Sequence, residues 1–272
     1  MKNFTRVFDL ERTQRDGKPD SPPQVSANEN DTDVTDISTA TSVFSTPSID
    51  VDPLLLERER ILPPGAGGEH GAAYKLLRTQ ALRRLEQLGA NTLAVISPCS
   101  ADGKTLTAIN LAIAIAATTG RTALVVDLDL RNPSLHRRFG FEPTVGIEDC
   151  LGTRRPINEA FVRVAGYERL TLLPARCRVE QSSELLTASR VGEIVTEMRT
   201  RYTNRVILFD LPPVLQADDA LAFSQHMQAA LLVVSERLTK REDVARALEL
   251  LRDTPVIGTV LNQSRTTEKR YY

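Results

Sequence analysis

The sequence is poor in the residues that build covalent or metal-bound scaffolds. It has three cysteines and three histidines in 272 residues. Cys99, Cys150 and Cys177 lie too far apart for a C-x-x-C pair, and His70, His136 and His226 are equally scattered. A disulfide framework and a sequence-readable zinc site are both excluded. Long apolar runs are missing as well. Stretches such as "LAIAIAA" are far too short to cross a bilayer, and "MKNFTRVFDLERTQRD" lacks the apolar segment of a secretory signal. No sign of charge prevails, with 34 basic against 35 acidic side chains and a pI near 6.4. Nothing therefore points to nucleic acid or to a purely electrostatic partner. The expectation is a cytoplasmic protein.

What is present is uneven along the chain. The first sixty residues carry 7 basic and 12 acidic side chains. From Lys18 to Ser48 they are mainly Ser, Thr, Asp, Asn and Pro, which cannot bury enough surface to offset chain entropy. The tract "LLLERERILPPGAGG" reads as a short contact element followed by a breaker. Residues 1–65 are assigned to a disordered N-terminal arm, either inert or a tether, 66–262 to a folded domain, and 263–272 to a flexible tail.

The domain begins with an amphipathic helix through "AAYKLLRTQALRRLEQL", in which Tyr74, Leu77, Ala81 and Leu85 share one face. Runs that are apolar throughout then alternate with helical patterns. They are "TLAVIS", "TALVVDLD", "LTLLPA", "RVILFD", "AALLVVS" and "VIGTVLN". Continuous apolarity indicates strands buried on both faces. The spacing predicts an α/β fold with a doubly wound, mainly parallel sheet and helices on both faces, whose ligands bind beyond the carboxyl ends of the strands.

Three motifs fall at such ends. "SPCSADGKTLTAINLA" follows the first strand and opens a helix. A helix N-terminus presents unpaired N–H groups and partial positive charge to phosphate oxygens. Lys104 is placed to reach the β/γ-phosphates and the Thr105 hydroxyl to ligate magnesium. Asp127 and Asp129 lie two apart at the end of "ALVVDLD", and paired acids in a crevice are costly unless a cation or a proton is shared. Asp210 ends "RVILFD", where a carboxylate can hold magnesium directly or through water. Asn262 closes "VIGTVLN" as either an adenine-reading side chain or a structural turn residue.

The motifs "SPCSADGKT", "VVDLDLR" and "ILFDLPP" resemble the three Walker-type motifs of bacterial tyrosine autokinases. These are the CpsD/CapB-type kinases of polysaccharide export, with a MinD/ParA-like P-loop fold. The resemblance runs from about Tyr74 to Tyr272 and includes "TKREDVARALELL", "GTVLNQSR" and a terminal pair of tyrosines. The lysine that MinD/ParA ATPases carry five residues before the loop lysine is replaced by Cys99, which favours the kinase branch.

The resemblance implies ATP and Mg2+ as cofactors. It implies a nucleotide-binding loop of Ser100, Ala101, Asp102, Gly103, Lys104, Thr105 and Leu106, with Asn262 beside it. Lys104, Asp127, Asp129 and Asp210 become the catalytic set, with Thr105, Asp127 and Asp210 on the metal. Tyr271 and Tyr272 become phosphoacceptors, at the end of a ten-residue tail that reaches on the order of 33 Å when extended. Implied partners are further copies of the chain, in a dimer or ring, and a transmembrane polysaccharide co-polymerase that recruits it to the inner face of the membrane. Of the ring motif Glu-x-x-Arg-x-x-Arg, matching Ala72, Lys75 and Arg78, only Arg78 is kept. Two alternatives accompany the kinase: a weakly catalytic regulatory subunit of an export complex, and a MinD/ParA-type positioning ATPase. The resemblance also puts glycine where Ala101 stands, and a left-handed alanine there would cost roughly 1–2 kcal/mol.

Overall fold

In the computed structural model the described residues are 4–8, 46–153, 155–201 and 204–264. Their strands are β1 (Phe4–Phe8), β2 (Ser48–Ile49), β3 (Thr92–Ile96), β4 (Thr122–Asp127), β5 (Val162–Val164), β6 (Leu170–Leu173), β7 (Arg205–Asp210), β8 (Ala230–Ser235) and β9 (Val256–Ser264). The helices are α1 (Pro53–Arg58), α2 (Gly68–Gln87), α3 (Lys104–Ala116), α4 (Leu135–Phe139), α5 (Ile147–Gly152), α6 (Ser182–Thr187), α7 (Ser189–Arg201), α8 (Asp219–Ala222) and α9 (Arg241–Leu250).

One sheet runs in the order β1-β9-β8-β3-β7-β4-β6-β5-β2. Its six central strands, β9 through β6 in that order, are all parallel. These are the six apolar runs of the sequence. Apart from β9, where Val256 and Val260 fall in different cores, their side chains alternate between two cores. On β3, Leu93 and Val95 pack with α2 and α3, while Ala94 and Ile96 face α5, α7 and α9. The same division separates Val206 and Leu208 from Ile207 and Phe209 on β7. Both faces are covered, so no polar alternation survives in the sequence.

The edges differ from expectation. β1 adds antiparallel to β9, β5 antiparallel to β6, and β2 parallel to β5. The expected disordered arm to residue 65 is corrected at Phe4–Phe8 and for residues 46–65. There, Asp52 caps α1 by accepting the Leu54 N–H at 2.9 Å, Pro53 opens the helix, and Ile61 is buried in the core shared with α2 and α3. Gln263 and Ser264, expected in the tail, belong to β9. Residues 9–45 and 265–272, including Tyr271 and Tyr272, lie outside the described residues.

Candidate functional site

The parallel order sets Asp127 and Asp210 side by side as register partners at the ends of β4 and β7. The loop after the adjacent strand β3 brings Lys104 to them. Its Nζ lies 2.6 Å from Asp129 Oδ2 and 3.3 Å from Asp210 Oδ1. The Thr105 hydroxyl donates to Asp210 Oδ2 at 2.6 Å. All five groups are buried. Three motifs about a hundred residues apart at the extremes thus meet at one point.

Three carboxylates face one ammonium, and the imbalance sets the protonation. Burial pulls the Lys104 ammonium down, but Asp210 and Asp129 more than offset it, so its pKa is raised and it stays charged. Burial pushes Asp210 up, against the pull of Lys104 and Thr105. Asp127 is pushed up to about 7 by burial first and by Asp210 second. Its carboxylate is already a hub, since Oδ2 accepts the Ser134 and Leu135 N–H groups at 3.0 Å each and Oδ1 accepts that of Asp129 at 3.2 Å.

An unfolded Asp titrates near 3.8. Between that value and about 7 the folded protein holds a proton that the unfolded chain has released. Stability therefore falls as pH rises through this window. In metal-free, nucleotide-free protein the fall should be shallower in Asp127→Asn than in the wild type, which thermal melts at pH 5 and pH 8 would measure. Identical slopes would mean that Asp127 ionises freely.

The loop itself is braced from behind. Gly103 (φ 95°, ψ 22°) caps α3 in the left-handed region, and a Cβ there would come within 2.0 Å of the Asn262 side-chain nitrogen. Asn262 Nδ2 donates to the Asp102 carbonyl at 2.9 Å, and its Oδ1 accepts the Gln263 N–H at 2.9 Å. Asn262 is thus tied to the loop through Asp102 while it also lines the cavity beside it. Gln263 Nε2 holds the Ala101 carbonyl at 2.9 Å. Asp102 turns its carboxylate inward, accepting from the Thr239 hydroxyl at 2.7 Å and the Cys99 N–H at 3.0 Å.

Ala101 sits at φ 64°. Gln263 holds the Ala101 carbonyl, so the fold itself fixes this left-handed alanine and its cost is expected to fall on folding more than on binding. Ala101→Gly should therefore raise stability by up to about 1 kcal/mol, after the extra chain entropy of glycine is set against the relieved strain. ATP affinity should change by less than about threefold. Chemical denaturation and calorimetry on the same pair measure both quantities. A gain in affinity without a gain in stability would reverse this assignment.

Sequence reasoning did not single out Thr239, Gln263 or Arg131. Arg131 donates to Asp219 Oδ2 at 2.7 Å and Asp218 Oδ1 at 2.9 Å, tying the segment after β4 to α8. Its place two residues beyond Asp129 was the available signal. Arg78 is also located: its Nη1 is 3.5 Å from the Ala114 carbonyl of α3.

A cavity of about 840 Å³ adjoins the loop, lined there by Ala101, Gly103, Leu106 and Asn262. A buried strand, a left-handed glycine and a lysine that begins the next helix together have the geometry of a phosphate-binding loop. A family model for ParA, described as NUBPL iron-transfer P-loop NTPase, matches residues 90–270. The chain belongs to this family.

Several similar proteins are named tyrosine-protein kinases. Tyrosine-protein kinase YwqD of Bacillus subtilis is 28% identical over 201 residues, covering 73% of this chain and 83% of the relative. Tyrosine-protein kinase Wzc of Salmonella typhi is 28% identical over 192 residues, 70% of this chain but only 26% of the relative. A further relative, from Rhizobium meliloti, is named succinoglycan biosynthesis transport protein ExoP and is 28% identical over 67% of this chain and 23% of its own length. The chain thus spans most of YwqD and about a quarter of the longer relatives. Among solved structures, the chimerical protein CapA2B2 superposes with a TM-score of 0.68 at 23% identity, over 81% of this chain and 94% of that one.

Proposed function

We propose that the protein is an ATP-dependent protein-tyrosine kinase of polysaccharide synthesis and export. The observation that carries this is the buried cluster of Lys104, Thr105, Asp129 and Asp210 at the N-terminus of α3, with Asp127 beside it. The relatives named tyrosine-protein kinases supply the reaction, and the succinoglycan transport protein supplies the polysaccharide setting.

The residues fit Mg2+. Three acids against one lysine leave surplus negative charge, and Thr105 and Asp210 present oxygens to one point. Magnesium is commonly held by one or two carboxylates together with substrate phosphates. Thr105 and Asp210 would hold it here, and it would neutralise charge developing on the phosphates. The N–H groups of residues 102–106 and the Lys104 ammonium would cradle the phosphates, with Ser100 and Ala101 shaping the turn. The acceptor tyrosine's oxygen forms a bond to the γ-phosphorus as the bond to the β-bridging oxygen breaks. The phenol's proton passes to Asp127, and ADP leaves. Tyr271 and Tyr272 are the proposed acceptors.

No described helix is long and apolar enough to cross a membrane. Placement at the cytoplasmic side of the membrane, a membrane-spanning co-polymerase partner and self-association accompany the reading as parts of the same proposal. Intact mass and phosphotyrosine detection after incubation with magnesium-ATP test it, with and without candidate membrane activators. Phosphotyrosine that disappears in Tyr271→Phe/Tyr272→Phe supports it. ATP hydrolysis without phosphotyrosine under both conditions would replace it with the positioning ATPase. Nucleotide binding without either activity would favour the regulatory subunit.

A further inference from the structure

The cavity beside the loop has two unlike walls. One is the phosphate loop and the start of α3, through Ala101, Gly103 and Leu106. The other is the segment 53–63, through Leu56, Arg60 and Ile61, which precedes the family match at residues 90–270. The second wall is fastened down. Asn110, on α3 and 2% exposed, accepts the Leu62 N–H at 2.9 Å and donates to the Arg60 carbonyl at 3.0 Å. Arg138 Nη1 meets Glu59 Oε2 at 3.1 Å, and the Tyr167 hydroxyl donates to the Leu62 carbonyl at 3.3 Å. Arg60 takes φ 60° where the chain leaves α1 and turns toward Ile61.

Four clamps on a segment of eleven residues exceed what a passing linker needs. They build an enclosure. Its 840 Å³ falls within the range of small-molecule sites, roughly 300–1,000 Å³. Its opening onto the loop suits an occupant joined to a phosphate chain. We propose that segment 53–63 is a built-in wall for the base and ribose of the nucleotide, supplied in cis by the chain's own N-terminal region. The base lies between Leu56 and Leu106. Asn110 couples this wall to the helix whose N-terminus receives the phosphates. The inference rests on the loop binding ATP, as proposed above.

Inorganic tripolyphosphate separates the two ideas because it has phosphates and no base. Calorimetry with magnesium-ATP and magnesium-tripolyphosphate would be run on wild type, Leu56→Trp, which fills the cavity, and Asn110→Ala, which releases the wall. The expected result is a loss of ATP affinity of about tenfold or more, the scale of one lost apolar side-chain contact, with tripolyphosphate affinity unchanged within about threefold. In the wild type, amide exchange at Leu62 should slow with ATP and not with tripolyphosphate, a readout that survives failure of either variant to fold. Wild type that binds both ligands, with ATP leaving Leu62 exchange and the variants' relative affinities unchanged, overturns the wall alone. Wild type that binds neither overturns the loop reading and the wall with it.

Discussion

Lys104→Met is expected to lower ATP affinity by between about 30-fold and several thousand-fold, the range that follows from losing a buried charge contact worth about 2–5 kcal/mol. The same change removes the ammonium that pairs with Asp129 and Asp210. Leaving a buried carboxylate without its partner destabilises by about 3–5 kcal/mol, so the variant should also melt earlier, and least so at acid pH, where the acids take up protons. Two effects on one residue need separating. Lys104→Arg keeps the positive charge but not the compact ammonium that fits between two carboxylates and a phosphate. It should recover much of the melting temperature and little of the ATP affinity. Thermal melts and calorimetry on the two variants measure this split. If Lys104→Met binds ATP within about threefold of wild type, the phosphates do not sit on α3.

The central sheet was legible in the sequence because burial on both faces leaves a distinctive signal. Six apolar runs became six parallel strands; two of them end in Asp127 and Asp210, and the loop after a third leads to Lys104. The edges were illegible for the opposite reason. β2 has two residues and β5 has three, too few for any period to register. β1, Phe-Thr-Arg-Val-Phe, has no period-two pattern to mark it as a strand and pairs antiparallel with β9. Segment 53–63 was readable only as a contact element, because its role depends on Asn110, 48 residues from Leu62 in sequence. The braces behind the loop were hidden in the same way. Thr239 and Asp102 are 137 residues apart and carry no local motif. The resemblance marked Ala101 as standing where relatives place glycine, but its backbone angle and the Gln263 contact that holds it show up only in the fold.

The strongest separation of roles is expected from Asp127→Asn. It should reduce phosphotransfer by about 100-fold or more, the lower end of what a positioned general base contributes, while ATP affinity stays within about threefold. The reason is geometric. Lys104 hydrogen-bonds directly to Asp129 and Asp210, whereas Asp127 is anchored instead to the backbone of Ser134, Leu135 and Asp129. Removing its charge therefore leaves the phosphate-facing contacts in place and takes away the group assigned to the acceptor's proton. An amide oxygen can still accept from Ser134 and Leu135, but its NH2 would face the Asp129 N–H, so a modest shift of Asp129 is the foreseeable structural effect. Asp129→Asn isolates that effect. It weakens the 2.6 Å contact with Lys104 and should perturb ATP binding more than Asp127→Asn does. Single-turnover phosphotransfer at saturating magnesium-ATP measures the chemical step apart from binding. Equal loss of ATP affinity in Asp127→Asn and Lys104→Met would show that the two residues share one task, and the division of labour drawn from their contacts would be wrong.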